Sequence, residues 1–351
     1  MNTPTWIFLG ALALAPPGGA RAFHDGGVAS CHGCHIMHDS EDGYPGPGGY
    51  PMLLIADTPT EVCLTCHAGG YGNVLGDNLL MPPDEKGAGN FVFLLEDNLN
   101  DGPNGATQPI PGQAAGHSVI APSYGLQQDT DWTYAPGGTF PSSQLGCTSC
   151  HDPHGADTFR LLRGVGPLQG GIFDFVNPAP DGIGIDIGPT GGAEASNNHS
   201  AYRSGFTAWC ANCHGDYHAP PGDFGFKHDP DRSFGGASSR RYNEYNGDDD
   251  PGGGDVASAY LPLVPFEDTN MTTDNFFGPS MVSRVMCLSC HRAHASSAPR
   301  AGRWDFNVDL LDQDGIASGS WPIPNPYGPN QGQLCAKCHR HHVADGVGFQ
   351  D

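Results

Sequence analysis

Basic residues are scarce in this sequence. Its 351 residues include 15 Lys and Arg against 38 Asp and Glu, which gives a formal net charge of −23 at pH 7. Nucleic-acid binding needs a basic face, so this composition argues against that class of function. It also argues against simple adhesion to anionic lipid. An acidic surface keeps an exported protein soluble and attracts cationic redox partners or metal ions.

Long apolar runs are also lacking. The run over residues 6–15 is too short to cross a bilayer as a helix, and no later run is long enough. Because Ala20 and Ala22 follow this run in an A-x-A pattern, we predict a secretory signal peptide over residues 1–22. The mature chain is then expected to begin near Phe23, to be exported through the periplasm and to have no membrane span.

No cysteine stands outside one repeated signature. All 12 cysteines fall in six C-x-x-C-H motifs, numbered motif 1 to motif 6 in chain order. Two thiols at this spacing add across the vinyl groups of a c-type haem, and the histidine that follows ligates the iron. The predicted cofactors are therefore six covalently attached haems. The predicted thioether cysteines are Cys31, Cys34, Cys63, Cys66, Cys147, Cys150, Cys210, Cys213, Cys287, Cys290, Cys335 and Cys338. The predicted proximal ligands are His35, His67, His151, His214, His291 and His339.

Other uses of the cysteines fit the pattern poorly. A structural zinc site wants four ligands and does not need a histidine after every second cysteine. A thioredoxin-like site expects a βαβ context, and a disulfide framework has no reason to repeat one spacing six times. The acidic turns at residues 246–255 and 312–315 lack a full calcium-loop pattern, so we interpret them as solvated loops.

Glycine and proline are abundant, with 52 and 32 residues. This content approaches the level that is typical of disordered chains. Each motif has only about 55 residues of chain, which rarely bury an adequate core without a cofactor. Because the porphyrins supply apolar mass, we predict a mostly irregular fold with a few short α-helices and little β structure, wrapped around a continuous haem chain. Composition and motif spacing stay similar throughout, so we expect a single domain over residues 23–351.

Eleven of the 17 histidines remain after the proximal ligands are assigned, enough to give every iron a second imidazole. His38, His154 and His294 each lie three residues after a proximal histidine, and His218 lies four after one. None can reach the same iron from so close, so each serves another haem, stays free or leaves the subunit. His117 and His228 lie in loops without a motif, and His24 lies near the mature N-terminus.

These seven histidines are the candidates for six distal positions, and the pattern does not decide among them. We expect His32, His199, His341 and His342 not to be ligands. Iron held by two histidines is closed to small molecules and serves electron transfer, so no bond-making catalysis is predicted. Two alternatives stay open at this point. They are a monomeric periplasmic electron shuttle and a reductase of nitrogen or sulfur oxyanions, which would need an open iron.

The sequence resembles the family of hexahaem outer-surface c-type cytochromes that polymerise into extracellular filaments. Several matching segments lie outside the haem motifs, and others run through them. They are residues 23–38, 51–54, 116–119, 135–155, 209–214, 257–267 and 287–296. The chain is shorter than the pattern it resembles, with different loops between residues 155 and 200.

The resemblance implies an extracellular electron conduit in which stacked and T-shaped haems alternate and every iron has two histidines. It implies that His38 ligates the haem of motif 5, at His291, in the next subunit. Such a head-to-tail contact does not close, and it gives an open helical filament. The expected partners are further copies of the chain, redox donors and extracellular electron acceptors.

Overall fold

The computed structural model describes residues 31–36, 53–69, 74–76, 87–95, 99–100, 109–110, 112–154, 157–168, 171, 173–185, 194–218, 231–304, 325–327 and 332–339. Several predicted features lie outside these residues. They are the signal peptide, the turn at residues 312–315, and His24, His38, His228, His341 and His342. Within the described part no helix is long and apolar enough to cross a membrane.

Short helices carry the haem motifs. The α-helices of the described part are α1 Pro59–His67, α2 Cys147–Cys150, α3 Phe206–Cys210, α4 Gly235–Glu244, α5 Cys287–Cys290 and α6 Gly332–Cys335. All but α4 contain a motif cysteine. The 3-10 turns are Cys31–Gly33, Phe91–Leu95, Gly112–Ala115, Pro122–Tyr124, Ser142–Gln144, Phe159–Leu161, Gly215–His218, Val256–Ser258 and Pro299–Ala301.

The strands of the described part form three two-stranded antiparallel ladders, and the other β pairing consists of isolated bridges. The pairs are β1 Leu99–Asn100 with β2 Pro109–Ile110, β3 Gly166–Pro167 with β4 Asp174–Phe175, and β5 Asp181–Ile183 with β6 Ala201–Ser204. Gly166 faces Phe175 in the second ladder, and Ile183 faces Ala201 in the third. The predicted fold class, mostly irregular with few short helices and little sheet, is confirmed.

Helix α1 has a complete N-terminal cap. The Thr58 hydroxyl accepts a hydrogen bond from the Glu61 N–H, and the Glu61 carboxylate accepts one from the Thr58 N–H, both at 3.1 Å. The other Glu61 oxygen accepts the Ser123 N–H at 2.8 Å. Such a cap stabilises a helix by about 1 kcal/mol. It fixes motif 2 against the loop that begins at residue 112.

The two larger of four apolar clusters in the described part hold much of this loop-rich chain together. The first joins α1 to the Phe91–Leu95 turn and to the loop around Ala115. Its buried members are Leu64, Leu75, Phe91, Val92, Phe93, Ala115, Val119, Ala121, Leu126 and Ala295. The second packs α4 and the segment around Phe266 against cysteines of motifs 5 and 6, Cys290, Cys335 and Cys338. The attachment cysteines therefore lie at the edge of a packed core.

Candidate haem sites

A single helical turn holds the three residues of each motif that are predicted to bind a haem. The N–H of the motif histidine donates to the carbonyl of the first cysteine in motifs 1, 3, 4, 5 and 6, at 2.8 to 3.1 Å. Residues three and four apart in a helix lie on the same face. The turn therefore directs both thiols and the imidazole to one side. The C-x-x-C-H spacing fits a haem because it matches this turn.

Three pairs of predicted ligands face each other at one common separation. The ring centroids are 6.1 Å apart for His35 and His154, 6.4 Å for His151 and His294, and 6.0 Å for His117 and His214. Two metal–imidazole bonds of about 2 Å, plus the distance from each nitrogen to its ring centre, require about 6.3 Å. Each separation therefore accommodates one iron between the two rings.

Hydrogen bonds to backbone carbonyls leave the outer ring nitrogen, Nε2, for the metal. Nδ1 of His151 lies 2.8 Å from the Arg160 carbonyl, and Nδ1 of His291 lies 3.0 Å from the Arg300 carbonyl. The same contact joins His117 to Ala293 at 2.8 Å and His214 to Pro136 at 2.7 Å. A carbonyl only accepts, so Nδ1 carries the proton in each case. This orients the ring and fixes its tautomer, as at known metal-binding histidines.

Burial keeps these imidazoles neutral. It lowers the pKa of His117 to about 4 and that of His294 to about 3. It also lowers the pKa values of His151, His214 and His291. Only a neutral imidazole has a lone pair for a metal. The donor set therefore fits haem iron at neutral pH, and in the described part no group of three or more His, Cys, Asp or Glu suits a free metal ion instead.

The remaining predicted residues have different surroundings. His218 ends the Gly215–His218 turn and is exposed. His199, predicted not to be a ligand, is fully buried, and its ring is stacked 3.8 Å from that of Tyr260. Its two nitrogens lie 2.9 Å and 3.0 Å from the carbonyls of Ser200 and Asn275. Because both nitrogens already face protein acceptors, His199 has no nitrogen directed at a metal.

Attachment thiols of neighbouring motifs lie side by side. The Cys63 thiol of motif 2 is within hydrogen-bonding range of Cys147 in motif 3, which lowers the pKa of Cys63. Cys210 of motif 4 and Cys287 of motif 5 have the same relationship, and the pKa of Cys287 is lowered by it. In a haem-loaded chain these atoms are thioethers, so these effects indicate only that the attachment points are close.

The other consecutive motifs are close as well. Burial raises the pKa of the Cys34 thiol, and Cys63 raises it further. Burial raises the pKa of Cys213 to about 12, with a smaller contribution from Cys150. It also raises that of Cys338 to about 12, with a smaller contribution from Cys290. Motifs 1 to 6 thus follow one another in space in the same order as in the sequence.

A longer repeat surrounds two of the motifs, and the sequence analysis missed it. Residues 147–163 and 287–303 share the pattern C-x-S-C-H-x-x-H-x-x-x-x-x-R-x-x-R. The serine hydroxyls, on Ser149 and Ser289, each accept the N–H of the residue before the first cysteine, at 3.0 and 3.1 Å. The first of the two shared arginines is Arg160 in one copy and Arg300 in the other. Each has a left-handed backbone, with φ of 52° and 58°. Its carbonyl is the one that faces the proximal histidine.

The preceding motif is repeated with it. The N–H groups of Cys147 and Cys287 each donate, at 3.3 Å, to a threonine three residues before the first cysteine of the motif packed against them. These threonines are Thr60 and Thr207. Motifs 2 and 3 therefore form a two-motif unit, and motifs 4 and 5 form a second unit of the same design. Aligning the sequence with itself at the arginines would have detected the repeat.

Comparison with known proteins gives results that agree with this arrangement. No protein-family model matches the chain. The chain is 29% identical to the C-type cytochrome OmcS of Geobacter sulfurreducens, over 97% of this chain and 98% of the relative. Two solved structures, described as OmcS nanowires and as an Outer Membrane Cytochrome S filament from the same organism, align with TM-scores of 0.70 and 0.69 at 28% identity. The alignments cover 90% of this chain and 95% and 94% of those chains. The resemblance to the outer-surface filament cytochromes is therefore confirmed, in sequence over nearly the whole chain and in fold.

Proposed function

We propose that this protein is an extracellular electron conduit, a filament of subunits that each carry six covalently attached haems. Two histidines ligate the iron of each haem. The OmcS filament structures that share its fold support this proposal over a monomeric shuttle. When bound, the haems supply reversible one-electron chemistry at the iron. Localisation outside the cell, reached through the periplasm after removal of residues 1–22, belongs to the same proposal.

The histidines that follow the proximal histidines of motifs 3 and 5 give the main support for a filament. His154, three residues after the proximal histidine of motif 3, faces the proximal histidine of motif 1. His294, three residues after the proximal histidine of motif 5, faces the proximal histidine of motif 3. Each H-x-x-H segment therefore links its own motif to the preceding odd-numbered one. His38 is the corresponding histidine of motif 1, and no odd-numbered motif precedes it in the chain.

Continuing the series requires a second copy of the chain. We propose that His38 ligates the haem at His291 of the next subunit, so that the order of motifs 5, 3 and 1 resumes at motif 5. A contact between different surfaces of two copies repeats indefinitely unless the rotation closes a ring. The same bond that completes a haem would therefore join the subunits.

The residues of the chain have three roles in this mechanism. The helical turns would fix the spacing of the haems through the thioether bonds. The paired imidazoles would hold the iron from both sides, and the carbonyls on Nδ1 keep those rings from turning. Burial excludes water, which limits the reorganisation that accompanies each electron transfer. Closed coordination also leaves no position for a substrate, so we propose electron transfer without catalysis.

The test is cryo-electron microscopy of material released from the cell surface, for the natural chain and for His38→Gly. The natural chain should form filaments with an unbroken line of haems, and the variant should remain monomeric. Adding imidazole to the variant should restore a fully low-spin spectrum without restoring filaments. Filaments of normal length from His38→Gly would contradict the proposed junction, and monomers from the natural chain would favour the shuttle. His342→Gly, at a predicted non-ligand, is the control.

A further inference from the structure

Three arginines bind the peptide turn between the two cysteines of a haem motif. The Nε–H of Arg163 donates to the carbonyl of Thr148 at 2.7 Å, and that of Arg303 donates to the carbonyl of Leu288 at 2.7 Å. In motif 6 the Nε–H of Arg241 donates to the carbonyl of Ala336 at 3.2 Å. In all three motifs the acceptor is the residue that follows the first cysteine.

The main chain reinforces this contact in motifs 3 and 5. The N–H groups of Arg163 and Arg303 donate to the carbonyls of Cys150 and Cys290, at 2.9 and 2.8 Å. Each of these arginines therefore holds both ends of the attachment turn. In motif 2 the corresponding carbonyl, that of Leu64, instead accepts the N–H of Ala68 within the continuing helix. The arginine contact thus distinguishes motifs 3, 5 and 6 from motif 2.

Within the described residues none of the three guanidinium groups forms an ion pair, although the Glu194 carboxylate also acts on Arg303. The ion pairs of the described residues involve His154, Arg240 and Arg284, and none involves Arg163, Arg241 or Arg303. Arg303 is 1% exposed, and its other nitrogens face the carbonyls of Pro262 and Gly87. A guanidinium stays protonated in proteins. Each turn therefore has a permanent positive charge against it.

The charge lies against the peptide that joins the two predicted attachment sulfurs. The carbonyls that accept from Arg163, Arg241 and Arg303 belong to residues between the two cysteines of their motifs. A fixed positive charge at this position favours the added electron on the haem that those cysteines would bind. Motif 6 has a second cation besides Arg241, since Lys337 lies between its two cysteines. The Lys337 side chain is buried, with its amine 4.3 Å from the ring centre of Tyr242.

We propose that Arg163, Arg303 and Arg241 are positioning residues that raise the reduction potentials of the haems of motifs 3, 5 and 6. This inference rests on the proposed attachment of haems, and it does not depend on filament formation. A nearby fixed charge is one of the means by which a protein tunes a haem potential. The conduit then has unequal steps, with the electron more stable on motifs 3, 5 and 6 than on motif 2.

The experiment is a spectroelectrochemical titration of the purified haem-loaded chain and its variants. Helix α4 offers a matched pair, since Arg240 and Arg241 are adjacent. Arg240 is 63% exposed and pairs with Glu244 at 3.9 Å, so Arg240→Gln should leave every potential unchanged. Arg241→Gln, and independently Arg163→Gln, should each lower the potential of one haem. Arg163→Lys retains the charge and should shift that potential less than Arg163→Gln.

The outcomes separate this inference from the proposed function. Potentials unchanged in Arg163→Gln and Arg241→Gln, with all haems low-spin, would overturn the inference whether or not filaments form. A shifted potential in chains that stay monomeric would support this inference. The absence of filaments would then count only against the proposed function. If Arg163→Gln and Arg163→Lys lose haem to the same extent, the contact is merely structural and the inference fails for motif 3.

Discussion

The imidazoles of His151 and His294 lie 6.4 Å apart with their ring planes inclined by 63°. They are 143 positions apart in the sequence. The N–H of His117 donates to the carbonyl of His294 at 2.8 Å and holds that residue in place. Phe91 stacks on the His294 ring with centroids 4.4 Å apart. The predicted second ligand of motif 3 is thus positioned by two other segments of the chain.

Replacing His294 should change one haem and leave the others intact. In His294→Gly the iron of motif 3 should become high-spin and bind carbon monoxide, because its second ligand is lost. In His294→Met it should remain low-spin at a higher potential, since thioether ligation raises haem potentials. Optical spectra with and without carbon monoxide measure both effects. A glycine variant that stays fully low-spin and binds no carbon monoxide would disprove the assignment.

Gly116→Ala should disturb two haems at once. A Cβ on residue 116 would overlap the carbonyl of His294 and the backbone of Ala295, and neither can move without shifting His117 and His294. Overpacking of this kind costs about 1–3 kcal/mol of unfolding free energy. Thermal unfolding should show the loss, together with weakened low-spin bands. Gly252 has no atom near its added Cβ, so Gly252→Ala should change the free energy by no more than about 0.5 kcal/mol.

The ring-plane angles predict more than one class of low-spin iron. The planes of His35 and His154 are inclined by 15°, whereas those of His117 and His214 are inclined by 53°. Near-parallel axial imidazoles give rhombic electron paramagnetic resonance signals, and strongly inclined ones give signals with a large maximum g value. The oxidised protein should show both classes at low temperature. A single class of signal from all haems would contradict these pairings.

Glu267→Gln should stabilise the fold at neutral pH. Burial raises the pKa of Glu267, although its carboxylate accepts the N–H of Phe206 at the start of α3, at 2.7 Å. Because the folded state holds this proton more tightly, the stability due to Glu267 is complete below about pH 4.5 and is lost as the pH rises through the folded pKa. The variant should therefore melt higher than the natural chain at pH 7 and equally at pH 4.

Two results would count against this account of Glu267. Equal melting temperatures at pH 7, or a difference of the same size at pH 4, would show that desolvation of the carboxylate is not the cause. The exposed Glu244 provides the control, and Glu244→Gln should change neither temperature appreciably.

The repeated motif by itself determined the helical turns, and it predicts the attachment sites. The spacing of two cysteines and a histidine fits one turn of helix, which is a local property, and five of those turns show the expected hydrogen bond. The abundance of glycine and proline likewise predicted short elements and long loops. The repeated arginines were also present in the sequence, but their role depended on a carbonyl that no pattern identifies.

Only the tertiary structure decided which histidines face each other. Spacing alone left seven candidates for six positions, because an imidazole three residues from a motif is directed away from its own iron and its destination depends on long-range packing. His154 faces motif 1, and His294 faces motif 3, through contacts between segments more than 100 positions apart. The pairing of histidines depends on contacts between distant segments, so it is decided only when the chain folds.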